Sequence, residues 1–432
     1  MQEEHYHTHS PRQRDNFMNS SFYIIPLCFD DLDAFSTAVE RDQRWERIGQ
    51  QEFKMKYLLS YVGRLAENKD WFQSFRLRQP EQVQIYFKVQ EEKGSPLSVK
   101  ECFNDRIQLS EVRLSCFGSG IGFMEFKVAY HGLSVAQIID FAFRFKKASP
   151  YMKEGAQAHK TLYWTARELL PAAGKDAQLF FYSTDDIKNE CMCYHMLKLS
   201  KDEVQTDKLE EQMFLLRRGY GTQFAGLESR NSSNYDMVYT PYQNDWWGGS
   251  QEGLANLCYE TGDDDFLRGP KYLQLQADFH FMYLLLLNQR YAAIKNIEMI
   301  AAASGRKELK ELNRRIVKLK TIYSFRVVSN DLIYQNIYSR MYDILDVNSL
   351  LRDLQDNEQQ VELLKNDSEE EFEGRANKLL IGISFLSIFS ALIDAASFFE
   401  LFPIFHGAAK WASLSVVITM ILIWLVWLKW KK

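Results

Sequence analysis

The hydrophobic pattern of this chain changes period along its length, from the alternation of strands to the three-and-four spacing of helices. Apolar runs at residues 23–29 (YIIPLCF), 83–89 (VQIYFKV), 108–117 and 121–130 read as strands, the last two joined through Gly118, Ser119 and Gly120 as a hairpin. Residues 178–182 and 191–199 add two more. Helical spacing falls between them at 51–65, 135–147 and 161–170, where Pro171 stops the last. This mixed order predicts a layered α/β domain, followed by a helix over residues 272–303.

Beyond that helix the pattern is more regular. Leu309, Leu312, Ile316 and Leu319 begin a strict three-and-four seam that continues through Ile333, Ile337 and Ile344 to Leu354, the signature of a supercoiled stalk; Arg326, Asn330 and Arg340 interrupt it, and Ser329-Asn330 is a place for one helix to end and another to begin. No proline lies between Pro270 and Pro403, so one helix starting near residue 331 can reach residue 401, about 105 Å at about 1.5 Å per residue. Such a helix needs neighbours to bury its seam, and further copies of the chain are the simplest source.

Two apolar stretches come next. Residues 379–402 are long enough to cross a hydrocarbon core of about 30 Å, and residues 411–428 are a second span with tryptophans at both ends. Only residues 403–410 separate them, so they predict an antiparallel hairpin. Arg375 and Lys378 before it and Lys429, Lys431 and Lys432 after it, against Lys410 in the loop, put both termini on the cytoplasmic side. Asn377, Ser384, Ser387, Ala391, Asp394 and Phe398 form a small and polar stripe, a candidate pore lining, because an intramembrane carboxylate needs shelter that several copies would supply. Glu369, Glu370, Glu371 and Glu373 would then form an acidic cytoplasmic mouth that concentrates cations. An interfacial Asp394 and a solvated acidic helix face are the plainer readings.

Composition narrows the chemistry. The net charge of −5 over 432 residues argues against a nucleic-acid duplex as a direct partner, and 14% aromatic residues allow a sizeable core. Six cysteines without framework spacing predict no disulfides. Residues 1–20 are polar and read as a disordered tail without a signal peptide. No catalytic constellation is visible, so no enzyme is expected. Cys191, Cys193 and His195 alternate onto one strand face, but a fourth metal ligand is missing and a buried core strand is favoured. Residues 217–247 are the densest candidate ligand-binding stretch: Arg217, Arg218, Tyr220, Asn244, Trp246 and Trp247 suit a nucleobase and phosphate, by stacking and charge-assisted hydrogen bonds. A structured loop packing its aromatics at a subunit contact is the competing reading.

An α/β body, a long helix running into a first span, a short loop and a second span with a Lys-rich end resemble the CorA-like family of divalent-cation channels and transporters, best over residues 325–364 and 375–389. Members that move magnesium carry Gly-Met-Asn at the end of the first span; here the chain reads Phe398-Phe399-Glu400-Leu401-Phe402-Pro403. The closer resemblance is therefore to divergent CorA-like effectors found beside type III CRISPR systems. It implies a homo-oligomer, a pentamer, in the lipid bilayer, with no resident cofactor and an antiviral pore gated by a nucleotide second messenger such as SAM-AMP or cyclic oligoadenylate. A transporter of a divalent cation, magnesium or zinc, and a membrane-anchored scaffold or enzyme are the alternatives. The expected organisation is a tail (1–20), a cytoplasmic α/β domain (21–270), a helical region and stalk (271–378), transmembrane helices (379–402 and 411–428) about a loop (403–410), and a basic tail (429–432), in a multi-pass protein of the inner membrane.

Overall fold

The strands at residues 20–28, 72–77, 121–130, 192–199, 245–250 and 253–259 are buried along all or nearly all of their length, which demands a helical layer on each face of the sheet they form. The computed structural model describes residues 18–49, 55–89, 98–146, 153–154, 157–158, 160–171, 177–179, 191–200, 204, 206–226, 236–259, 270–302, 306–366 and 387. Its strands are β1 (Ser20–Cys28), β2 (Trp45–Arg47), β3 (Phe72–Leu77), β4 (Tyr86–Val89), β5 (Ser98–Glu101), β6 (Ile107–Phe117), β7 (Ile121–Tyr130), β8 (Lys153–Glu154), β9 (Gln157–Ala158), β10 (Gln178–Leu179), β11 (Met192–Leu199), β12 (Met237–Tyr242), β13 (Asp245–Ser250) and β14 (Gly253–Tyr259). The helices are α1 (Leu32–Arg41), α2 (Ser60–Glu67), α3 (Val135–Lys146), α4 (Leu162–Leu169), α5 (Thr206–Arg218), α6 (Pro270–Gln274), α7 (His280–Ala302), α8 (Arg306–Lys318), α9 (Leu332–Ile344) and α10 (Val347–Asn366). A π-helical turn, Leu275–Phe279, joins α6 to α7.

Ten strands make one sheet in the order β12-β13-β14-β11-β1-β7-β6-β3-β2, with β10 pairing beside the end of β1. All pairs are antiparallel except β11 with β14. The two edges are unlike its centre: β2 has three residues, and β12 carries Pro241 at a register shift against β13. At the β6–β7 hairpin Gly120 takes φ +84°, and a Cβ there would lie 2.7 Å from the Phe29 carbonyl oxygen, so glycine is required.

Register sorts the side chains. Tyr23 lies opposite Phe126 and Cys193, and this face is closed by α1, α3, α4 and α5: the Tyr23 ring stands 4.6 Å from Phe145, and Phe29 lies 4.8 Å from Phe35. Phe22 lies opposite Lys127 and Tyr194, and this second face is closed by the π turn and α7 through Phe22 on His280 (4.2 Å), Phe123 on Tyr291 (6.2 Å) and Trp247 on Phe279 (4.5 Å). Each such aromatic residue, fully buried, contributes about 1.5–3 kcal/mol.

Contacts divide the chain into two units, Met1–Lys295 with Arg314–Leu354, and Asn296–Asn313 with Gln355–Lys432. The sheet lies in the first. In the second, the described residues belong to the end of α7, the start of α8 and the end of α10, together with Ser387, an exposed helical position.

The stalk expected from the seam does not form as one helix. α8 runs into a π turn, Leu319–Tyr323, and the chain leaves the helix through residues 324–331, which include the expected break at Ser329-Asn330; the helix expected to run on from residue 331 is then broken again at Leu345 and Asp346, which separate α9 from α10. Tyr323, Ile337 and Tyr338 are buried within the same unit as the sheet. The Tyr323 hydroxyl donates to the Trp71 carbonyl at 2.8 Å, and Tyr334 stacks on Phe279 at 4.0 Å. A three-and-four seam records only that one helix face is buried, and here that face meets the chain's own body.

The expected architecture of an α/β domain, continuous stalk and transmembrane hairpin is corrected accordingly to a mixed α/β protein built on the ten-stranded sheet. Among the described residues no helix is long and apolar enough to cross a membrane, which removes the support for the membrane, ion-channel and inner-membrane expectations. Apart from Ser387, the two proposed spans, the acidic mouth at Glu369, Glu370, Glu371 and Glu373, and the stripe residues Asn377, Ser384, Ala391, Asp394 and Phe398 lie outside the described residues.

The break before α10 is testable. Asp346 adopts φ 55°, a left-handed conformation that costs a β-branched residue more than glycine. Asp346→Val is expected to be less stable than Asp346→Gly by about 1–2 kcal/mol in urea unfolding. Equal stabilities would mean that α9 and α10 run on as one helix.

Candidate functional site

β6 and β7 place charge where an apolar strand would be cheaper. Glu111 and Arg113 on β6 share the second face with Glu125 and Lys127 on β7, the register setting Glu111 opposite Lys127 and Arg113 opposite Glu125. Burial of an ion without a partner costs several kcal/mol, so each has to be met within the protein.

The partners are local. Arg113 Nη2 donates to both carboxylate oxygens of Glu111, at 2.9 and 3.1 Å. Burial alone would raise the Glu111 carboxyl, but the Arg113 charge and its hydrogen bonds outweigh that and hold it below the usual carboxylate range. Glu125 is fully buried; it accepts from the Ser115 hydroxyl at 2.5 Å and lies 2.7 Å from His280 Nε2. The imidazole N–H is not aimed along that approach, so the contact is a close polar one rather than an aligned hydrogen bond. Because the serine bonds the carboxylate and not the histidine, the three do not form a nucleophile relay.

Lys127 differs. Its ammonium sits over the rings of Phe22 (5.6 Å) and Tyr272 (5.8 Å), and among the described residues no carboxylate forms an ion pair with it. Burial pushes its amine down to about 8, with the Glu111 charge acting against the shift and the Arg113 charge adding to it.

Arg113, Lys127 and His280 line a cavity of about 540 Å³ between β1, β6 and β7 on one side and α6, the π turn and the start of α7 on the other. Its volume suits a small organic ligand. Phe22, Phe281, Leu273 and Leu284 supply apolar wall, and Met55, Lys56 and Tyr57 close one end. The π turn brings in Asp278, a buried carboxylate that accepts the Tyr57 backbone N–H at 3.1 Å and so ties residues 55–58 to the helical wall. Tyr57 in turn stacks on Tyr334 at 5.4 Å. π turns insert one residue into a helix and recur at functional sites.

The residues proposed from sequence are placed elsewhere and not all together. Arg217 and Arg218 end α5 around Asp236, with Nη2 atoms 3.8 and 2.7 Å from its Oδ2. Tyr220 lies between Phe214 and Phe224, at 5.8 and 5.5 Å. Asn244 donates to the Tyr259 carbonyl at 3.1 Å, and Trp246 donates to the Gln243 carbonyl at 3.0 Å while packing toward the first face. Trp247 is fully buried on the second face; its N–H donates to Asp245 at 3.2 Å, and Asp245 also holds Lys271 at 2.7 Å. The two tryptophans therefore point to opposite sides of the sheet. Cys191, Cys193 and His195 share the first face, all buried, with the His195 ring 2.7 Å from the Ser21 hydroxyl. Among the described residues no three His, Cys, Asp or Glu side chains are grouped to hold a metal ion.

Sequence reading does not single out the cavity. Its one visible signal is a glutamate and a lysine, two residues apart, inside an otherwise apolar strand at Glu125 and Lys127. No family model matches this chain, and neither a curated protein nor a solved structure does.

Burial raises the Asp278 carboxyl above its ordinary value. At pH 7 the folded state therefore carries a penalised charge that is relieved as pH falls through the raised value, so this group makes stability rise on acidification down to about pH 4. Asp278→Asn keeps an acceptor for Tyr57 and has no charge to lose. Relative to wild type, its urea midpoint is expected to be more favourable at pH 7 than at about pH 4. A pH-independent difference would show that Asp278 is not penalised.

Proposed function

We propose that the α/β body is a sensor module that binds a nucleotide-class ligand, an aromatic ring joined to phosphate, in the cavity beneath the π turn. The observation that carries this reading is Lys127: a half-buried ammonium, turned into a cavity walled by rings, without an ion-paired carboxylate among the described residues. A phosphate supplies the missing anion, with Lys56 at the rim as a second cation. Tyr57, half-buried at one end of the cavity, is the ring on which the base can rest. Tyr57 then links the occupied cavity to α9 through its stack on Tyr334. The messenger candidates are SAM-AMP and cyclic oligoadenylate, and binding rather than turnover is the expected activity.

Titration calorimetry with SAM-AMP, a cyclic oligoadenylate, ATP and inorganic phosphate tests this. One of the nucleotides is expected to bind, and Lys127→Met to weaken it at least about tenfold, or about 1.4 kcal/mol. Because the amine titrates near 8 and the anion needs its charged form, affinity is expected to hold below that value and fall as pH rises through it. Millimolar nucleotide giving no heat, or Lys127→Met binding as wild type does, would remove the reading.

A further inference from the structure

We propose that the Lys127 amine is a nucleophile, and that the cavity captures an aldehyde or ketone carrying an aromatic ring as a Schiff base. This goes beyond the nucleotide reading and stands without it, since it concerns the neutral amine rather than the ammonium.

Three features converge on that one atom. Lys127 projects from β7 into the cavity of about 540 Å³, so a ligand can reach it. The groups that face it are the Phe22 ring from β1, the Tyr272 ring from α6, and the Glu111 and Arg113 pair from β6. Glu111 is held by Arg113 through two-pronged hydrogen bonds, and its charge opposes the effect of burial on the lysine without cancelling it. With water thinned by two rings and a guanidinium nearby, the amine is pushed down to about 8. At pH 7 about a tenth of such an amine is free base, against about one part in 2,500 for an exposed lysine.

The step balances without an oxidant or reductant. The Nζ lone pair adds to the carbonyl carbon, and the C=O π pair moves onto oxygen. A proton passes from nitrogen to that oxygen, which leaves as water as the C=N bond closes. The oxygen takes its second proton from solvent, so the captured species is a protonated Schiff base. The aromatic body of the ligand would lie against the apolar wall that Phe22, Leu273, Phe281 and Leu284 contribute to, with half-buried Tyr57 at its end. Lys127 would become a catalytic residue only if the imine were turned over; capture alone is inferred.

The probe is pyridoxal, an aromatic aldehyde without phosphate, trapped on the full chain by cyanoborohydride and located by peptide mass spectrometry. At pH 7 Lys127 is expected to label at least about tenfold faster than the exposed Lys208, with its rate rising through a midpoint near 8. Lys127→Arg, which keeps the charge, should lose this adduct alone. Labelling of Lys127 no faster than Lys208, or a midpoint above about 10, overturns the proposal. Wild-type labelling decides it even if the variant fails to fold. Calorimetry with nucleotides reads non-covalent binding, so either inference can fail without the other.

Discussion

A carboxylate and an ammonium two residues apart on a central strand set the terms for everything built over that face of the sheet. Glu125 and Lys127 leave water when the strand is covered, and an unmet charge there costs several kcal/mol. Ser115 answers from the neighbouring strand, but the rest of the coordination must come from the covering helix, which delivers His280 against Glu125. The extra residue of the π turn rotates the start of α7 by about 100° relative to an unbroken helix, so Asp278 and His280 can both meet the cavity while Phe279 turns to Trp247 and Tyr334. Lys127 is the member of the row left to ring faces, which makes it the natural point of attachment for something from outside.

The features legible in the sequence are those that depend on local periodicity. The β6–β7 hairpin falls within one residue of its expected bounds because alternation and the Gly118-Ser119-Gly120 turn specify it together. The helix expected over 272–303 is present too, but its π turn has no signature in composition. Strands β12, β13 and β14 escape a periodicity reading because Tyr, Asn, Trp and Gly at that density resemble a binding loop. Gly248 and Gly249 are there for another reason: a Cβ on the first would collide with the Met213 sulfur, and on the second with that of Met341. The stalk is absent because a seam says how much of a helix is buried and not by what.

The arginines and aromatic residues picked out by composition turn out to have structural employment. Arg217 and Arg218 close on Asp236, and Trp247 covers the Asp245–Lys271 pair from the side of Phe279. Polar and aromatic density finds places where side chains need many partners, and such places include the packing of a helix end against edge strands. The cavity, by contrast, draws its residues from segments far apart in sequence, none of them distinctive alone.

The sheet's margins carry one more consequence. An open row of backbone donors and acceptors is a template on which another chain can add a strand. One margin here ends after three residues, and the other has a proline, which lacks an N–H, at a step in its ladder. Neither side offers an incoming strand a continuous row of partners, so a protein with ten strands in one sheet is protected from templated aggregation at both ends.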